Sequence, residues 1–166
     1  SINSPSTIDV IDRFSDKFDV AHVEYDTSSY SGMLDANEES FGIRKLPYYD
    51  FSKAKTVVSF GYDFLGSSFN HNLFNKQFTS QRVVNRDNRE MSRLYTFESN
   101  LTLTGANSDH RIPIKTSHSK IYIAELWNIL NSKIGSSRDY INYNKSKKSI
   151  INLDMLNKAA EDLIKN

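Results

Sequence analysis

YDFSKAKTVVSFGYDFLG, residues 49–66, is the stretch whose reading decides the fold. Its centre, TVVSF at 56–60, is a short uncharged run of β-branched and aromatic residues, which predicts a strand. Gly61, Asp63 and Gly66 follow at once. In open α/β sheets ligands bind where strands end, and glycine there lets the backbone approach closely. A second stretch, TLTGANSDHRIPIKTS at 102–117, bears on whether that crevice is equipped for a ligand.

Working outward, Ser4 and Pro5 read as a helix start, with Ile8, Ile11, Phe14 and Phe18 as its buried stripe. Residues 20–25 alternate as a strand. Ser31 caps a second helix carrying Met33, Leu34 and Phe41, and Gly42 stops it. Pro47 marks a loop before the strand at 56–60. A third helix starts near Ser67 or Ser68, with Phe69, Leu73, Phe74 and Phe78 inward. Residues 93–98 and 111–115 are strands. Ser117 caps a helix with Ile123, Leu126, Trp127 and Leu130 inward, and Asn152 caps a last one through Leu153, Leu156, Ala160, Leu163 and Ile164. Residues 132–149, rich in serine, asparagine and lysine, read as a mobile loop whose removal from 136 to 149 should cost little stability.

Strands alternating with helices predict an α/β fold with a mainly parallel sheet and helices on both faces. The whole of residues 1–166 reads as one α/β domain, or as a fragment of a larger subunit, since such a fold would enter another strand after the last helix. At 166 residues, 38% hydrophobic and 25% charged, the chain suits one globular core. A net charge of +1 offers no bulk field for nucleic acid or anionic membranes. Cysteine is absent, which excludes disulfides, thiolate catalysis and cysteine-ligated clusters in this chain. No apolar run approaches the roughly 20 residues needed to cross a bilayer.

Four blocks carry a family resemblance: VEYDTSSYSGMLDANEESFG (23–42), YDFSKAKTVVSFGYDFLG (49–66), MSRLYTFESNLTLTGANSDHRIPI (91–114) and the final AAEDLIKN. They resemble the molybdopterin oxidoreductase superfamily, and within it the B subunit of bacterial alternative complex III, a membrane-bound quinol:acceptor oxidoreductase. The resemblance implies a Rossmann-like domain of the molybdopterin type. In catalytic members such a domain binds part of a molybdopterin guanine dinucleotide holding molybdenum or tungsten. By resemblance, Gly61, Tyr62 and Asp63 line the cofactor crevice from one loop, and Thr104, Gly105 and Asp109 match the later loop. The catalytic pattern continues into a Pro-Gly-Thr-Asp turn, whereas this chain reads Ile114, Lys115, Thr116, Ser117. These six residues are therefore vestigial candidates, with no catalytic residue and no metal ligand assigned. The B subunits are understood to keep the fold without the cofactor, with iron–sulfur clusters elsewhere in the full-length protein. The partners implied are other domains and subunits of a respiratory complex on the periplasmic side of the inner membrane, with this fragment itself soluble, not inserted in the membrane, and binding no nucleic acid.

Taken residue by residue, the candidates keep two readings. Gly61 to Gly66 is a phosphate-cradling loop or a structural turn, and Asp63 would repel phosphate. Asp26 could accept a ribose hydroxyl or simply organise a turn. Asp109 and His110 suggest acid–base chemistry, or a loop tether and a surface histidine. His22, His71, His110 and His118 lack metal-ligand spacing. Arg82, Arg86, Arg89 and Arg93 recur at helical spacing and form, with Lys76, a phosphate stripe or a solvated face. Lys145, Lys147 and Lys148 read as a solvated loop. The leading expectation is a cofactor-free structural domain of an electron-transfer subunit. The alternatives are the cofactor-binding part of a catalytic molybdenum or tungsten enzyme, and an unrelated nucleotide-binding α/β module.

Overall fold

The computed structural model describes residues 4–25, 29–84, 86, 89–143 and 151–165. Two compact units divide the chain, Ser1–Tyr48 and Tyr49–Asn166. The N-terminal unit holds helices α1 (Pro5–Phe18) and α2 (Ser31–Phe41). Proline in the first turn opens α1, and Gly42, at φ 70°, closes α2 in the left-handed region that glycine enters without strain. Neither helix contains a buried residue, so the stripe Ile8, Phe14 and Phe18 expected inside is exposed. Residues 20–25 form no strand, and Val23 and Tyr25 are 82% and 87% exposed. The physical reason is pairing: alternation makes a strand only when a neighbour takes its backbone groups, and this unit contains no sheet among its described residues.

The C-terminal unit carries the sheet. Strands β1 (Thr56–Phe60), β2 (Arg93–Glu98) and β3 (His110–Pro113) lie in the order β1-β2-β3, all parallel. The register pairs Val58 with Tyr95 and Phe97 with Ile112. α3 (His71–Ser80) connects β1 to β2, the short α4 (Leu103–Ala106) connects β2 to β3, and α5 (Ser119–Ile134) and α6 (Leu153–Lys165) follow. The expected α/β class and parallel sheet are present.

Alternation along β2 divides the core in two. Leu94 joins Phe51, Phe64, Leu65, Phe74 and Phe78 on the α3 face. Tyr95 and Phe97 join Ile112, Ile121, Tyr122, Leu156, Ala159 and Ala160 on the α5/α6 face. Each fully buried phenylalanine or leucine contributes on the order of 2–3 kcal/mol of transfer free energy. The rings also interlock, with Phe51 stacked on Phe64 at 4.4 Å and Phe60 on Phe97 at 4.8 Å between centroids.

Boundaries differ from the sequence pattern in four places. α3 begins at His71, because residues 61–70 are taken up by turns, and this leaves Leu73 exposed. β3 begins at His110 and ends at Pro113, whereas 111–115 was expected. A 3-10 turn, Thr116–His118, precedes α5 and rotates it, so that Ile121, Tyr122 and Glu125 are buried and Ile123 is exposed. α5 also continues through Ile134 to Gly135, into the stretch expected as loop.

The part of that loop at 136–143 is anchored to α5. Trp127 Nε1 donates to the Asp139 carbonyl at 3.2 Å, Asn128 and Ile141 exchange two hydrogen bonds, and Tyr143 donates its hydroxyl to Glu125. Residues 144–149 lie outside the described residues.

Candidate functional site

The loops leaving the carboxyl ends of β1 and β2 meet and lock together. Gly61 ends β1 at φ 66°, and its N–H donates to the Phe97 carbonyl at 2.8 Å, extending the ladder by one bond. Space around Gly61 is open, so its glycine is required by the backbone angle and not by a close neighbour. Tyr62 is turned back over the loop, with its hydroxyl 2.9 Å from Ser68 Oγ and its carbonyl accepting from Ser59 Oγ.

Asp63 joins the two loops. Its Oδ1 accepts from the Thr104 N–H at 2.9 Å and from Thr104 Oγ1 at 2.7 Å. Thr104 is fully buried and its Oγ1 also accepts from the Leu65 N–H at 3.0 Å. The other face of the carboxylate lies against Gly66, where an added Cβ would collide with it. Burial pushes the Asp63 carboxyl upward, but the hydrogen bonds from Thr104 and Ser67 outweigh it and hold the group below its ordinary value.

A second carboxylate repeats the arrangement one strand over. Glu98, the last residue of β2, is 3% exposed. It accepts from Thr102 Oγ1 at 2.6 Å and from Arg111 Nε at 2.6 Å, and the Thr102 N–H lies 3.3 Å away. Its carboxylate fills the space that a side chain at Gly105 would need. Burial again pushes upward, and the Thr102 and Arg111 bonds bring the net position below the usual carboxylate range. A buried carboxylate survives only with such partners. Sequence reading missed Glu98; the available signal was an acidic residue closing the apolar strand RLYTFE, with Arg111 and a Thr-x-Thr-Gly loop downstream.

Of the six sequence-predicted site residues, the structure gathers Gly61, Tyr62, Asp63, Thr104 and Gly105 at the carboxyl edge. Asp109 lies elsewhere. It accepts a bidentate pair from Arg82 at 2.8 and 2.9 Å and the Leu94 N–H at 2.8 Å, so it sits at the amino edge, where β2 begins. That is about four residues, on the order of 13 Å, from the end of the strand. Burial acts first and upward on Asp109, and Arg82 with the Leu94 N–H brings it below its ordinary value. Two acidic groups at one mouth, Asp63 and Asp109, are therefore not what the fold assembles.

The amino edge holds a second polar cluster. Asp162 of α6 accepts from Tyr95 Oη at 2.5 Å and Arg93 Nη1 at 2.7 Å, and its carbonyl accepts from Thr56 Oγ1 at 3.3 Å. Burial and the Asp162 bond push the Tyr95 hydroxyl up to about 12. His110 stacks on Tyr95 at 4.8 Å, and burial with the nearby Lys158 and Arg93 holds it below its ordinary value.

The arginine stripe is dispersed: α3 ends at Ser80, Arg82 is bound to Asp109, and Arg93 belongs to β2. Among the described residues, no group of three histidine, cysteine, aspartate or glutamate side chains is placed to hold a metal. No helix among them is long and apolar enough to cross a membrane. Asp26, Lys145, Lys147 and Lys148 lie outside the described residues.

Chemically, the carboxyl-edge loops present carboxylates bonded by hydroxyls, backbone N–H groups and one guanidinium, an arrangement that fixes the loops to each other. No protein-family model matches this chain, and no curated protein matches it.

Proposed function

We propose that this chain is a cofactor-free, molybdopterin-oxidoreductase-like domain of a respiratory electron-transfer subunit of the quinol:acceptor oxidoreductase type. Its role is structural. It holds neighbouring domains and subunits on the periplasmic side of the membrane so that iron–sulfur clusters carried elsewhere lie within electron-transfer distance. A Rossmann-like domain of the molybdopterin type belongs to this reading, resting on the four sequence blocks and on the parallel sheet.

One observation supports the cofactor-free part above others. A guanine dinucleotide needs backbone N–H groups for its phosphates at the strand ends. Here the Thr104 N–H is bound by Asp63 and the space beside Gly105 is filled by Glu98. The Asp63 carboxylate beside these strand-end groups disfavours a phosphate there, and this supports a cofactor-free reading. Gly66 is likewise closed off by the Asp63 carboxylate. The loops complete themselves.

The test is metal analysis of the full-length protein, purified with its partners from membranes by a tag. The proposal expects iron from partner or neighbouring clusters, co-purifying membrane subunits, and molybdenum and tungsten below about a tenth of stoichiometry. Stoichiometric molybdenum or tungsten would establish a catalytic cofactor enzyme instead. A protein that purifies alone, free of iron, would remove the electron-transfer reading.

A further inference from the structure

The helix α5 holds the segment that follows it in the way a docking groove holds a peptide. Gly135, at φ 68°, ends the helix and turns the chain back along it. Residues 136–143 then run antiparallel to α5, extended and in neither helix nor strand. Trp127 Nε1 donates to the Asp139 carbonyl at 3.2 Å. Asn128 donates from Nδ2 to the Ile141 carbonyl at 3.0 Å and accepts the Ile141 N–H on Oδ1 at 2.8 Å. Asn131 Nδ2 lies 3.5 and 3.4 Å from the carbonyls of Arg138 and Asp139. Each of these partners on the segment is a main-chain group.

A loop that belongs to a core is anchored by apolar side chains, and this one is not. Tyr140 and Ile141 are exposed, and no residue of 136–143 is buried. Two side chains reach back to α5: the Arg138 guanidinium lies over the Trp127 ring, 5.6 Å from its centroid, and Tyr143 donates its hydroxyl to Glu125. Glu125 is buried, so its carboxylate needs such a donor. Burial and the Glu125 bond push the Tyr143 hydroxyl up to about 12, so the donor keeps its proton. A side-chain amide that pairs with the N–H and C=O of one residue recognises an extended backbone whatever side chain it carries. A segment with so few buried contacts also opens readily.

We propose that the face of α5 formed by Glu125, Trp127, Asn128 and Asn131 is a peptide-docking groove, which residues 136–143 occupy in cis and an extended segment of a partner protein occupies in trans. The partner segment carries arginine or lysine over Trp127 and, at the spacing of Arg138 and Tyr143, a hydroxyl or cationic donor for Glu125. Between these anchors its side chains vary freely, because α5 reads the backbone there. The groove stands apart from the electron-transfer reading and does not depend on it.

The probe is a labelled synthetic peptide, SSRDYINY, with the sequence of residues 136–143. Fluorescence anisotropy follows its binding to the 166-residue chain and to the double variant Arg138→Ala/Tyr143→Phe, whose cis segment lacks both anchors while the groove is intact. A tethered segment competes at an effective concentration on the order of 1 mM, so the double variant is expected to bind the peptide at least about 10-fold more tightly than the parent. Adding Asn128→Ala to the double variant should weaken binding at least about 10-fold, and so should methylating the isoleucine nitrogen of the peptide, which leaves the protein untouched. Alanine in place of the peptide's aspartate or first tyrosine should change affinity by less than about 3-fold, since those side chains face away from α5. Absence of saturable binding to the double variant up to about 1 mM would overturn the groove. Equal affinity for parent and double variant, or indifference to the methylated nitrogen, would overturn it as well. Should the double variant fail to fold, amide exchange on the parent decides: about 1 mM peptide should speed exchange of the Ile141 N–H at least about 5-fold, and an unchanged rate would refute displacement. Dimerisation of the parent that Asn128→Ala abolishes would show a second copy's residues 136–143 in the groove and would overturn a partner of another kind.

Discussion

Replacing Thr104 with valine removes one hydroxyl and nothing of the side chain's shape, and it tests the lock between the two loops directly. The hydroxyl donates to Asp63 and accepts from the buried Leu65 N–H. Losing a bond to a charged acceptor costs about 1.5–3 kcal/mol, and a buried N–H left without an acceptor costs about 1–3 kcal/mol. Burying a methyl in place of a hydroxyl returns about 1 kcal/mol. A net loss of about 1.5–5 kcal/mol is expected, which lowers the urea midpoint by on the order of 1–2 M. The chain's single tryptophan, Trp127, lies in α5 of the C-terminal unit and serves as the fluorescence probe.

The pH dependence separates the two bonds. Asp63 sits below its ordinary pKa in the folded chain. Its contribution is therefore fully present above the unfolded value, near about 4, and is lost as pH falls through the folded value. Thr104→Val raises the folded value toward the unfolded one, so the destabilisation should be larger at pH 7 than at pH 3. A T104V chain within about 0.5 kcal/mol of the parent at pH 7 would refute the lock. An equal loss at both pH values would refute the charged half of it.

Gly105→Ala drives a methyl into the Glu98 carboxylate and should destabilise the same transition severely, by about 3 kcal/mol or more, whereas Gly32→Ala, with open space in α2, should raise helicity by circular dichroism and harm nothing. Asn128→Ala breaks the reciprocal bonds to Ile141 and should cost about 1–2 kcal/mol; an unchanged urea midpoint would mean that residues 136–143 are not held on α5. Calorimetry with guanosine diphosphate should give a dissociation constant weaker than about 1 mM, equivalent to about −4 kcal/mol, and saturable micromolar binding would reopen the cofactor crevice.

The strands that could be read from sequence are those whose local composition and burial agree. TVVSF and RLYTFE are apolar on both faces because helices cover both, so each announces itself without knowledge of its neighbours. Residues 20–25 alternate just as plainly, yet a strand is a pairing and not a composition, and their unit contains no described partner. Asp109 misled for a related reason. It lies four residues after Gly105 in sequence, but α4 turns the chain back along β2, so the carboxylate reaches the amino edge and binds Leu94 and Arg82. Nearness in sequence carries no information about which end of a parallel sheet a loop residue will serve. Glu98 was hidden by the opposite error, since a glutamate closing a strand reads as solvated until Thr102 and Arg111 are seen to enclose it.

Both carboxyl-edge clamps answer one accounting problem. A loop that leaves a buried strand and turns into a helix exposes N–H groups that need acceptors. A phosphate can supply them, and so can the chain's own carboxylates. This chain uses Asp63 for the Thr104 N–H and Glu98 for the Thr102 hydroxyl, with Arg111 neutralising the second. Gly66 and Gly105 then serve a purpose different from the usual one: they make room for a side chain and not for a ligand. Opening the space at Gly105 would require more than neutralising Glu98, because a glutamine would still fill it and Arg111 would lose its counter-charge. Glycine at 66 and 105 is thus accounted for by the carboxylates beside it, whose space a Cβ would take.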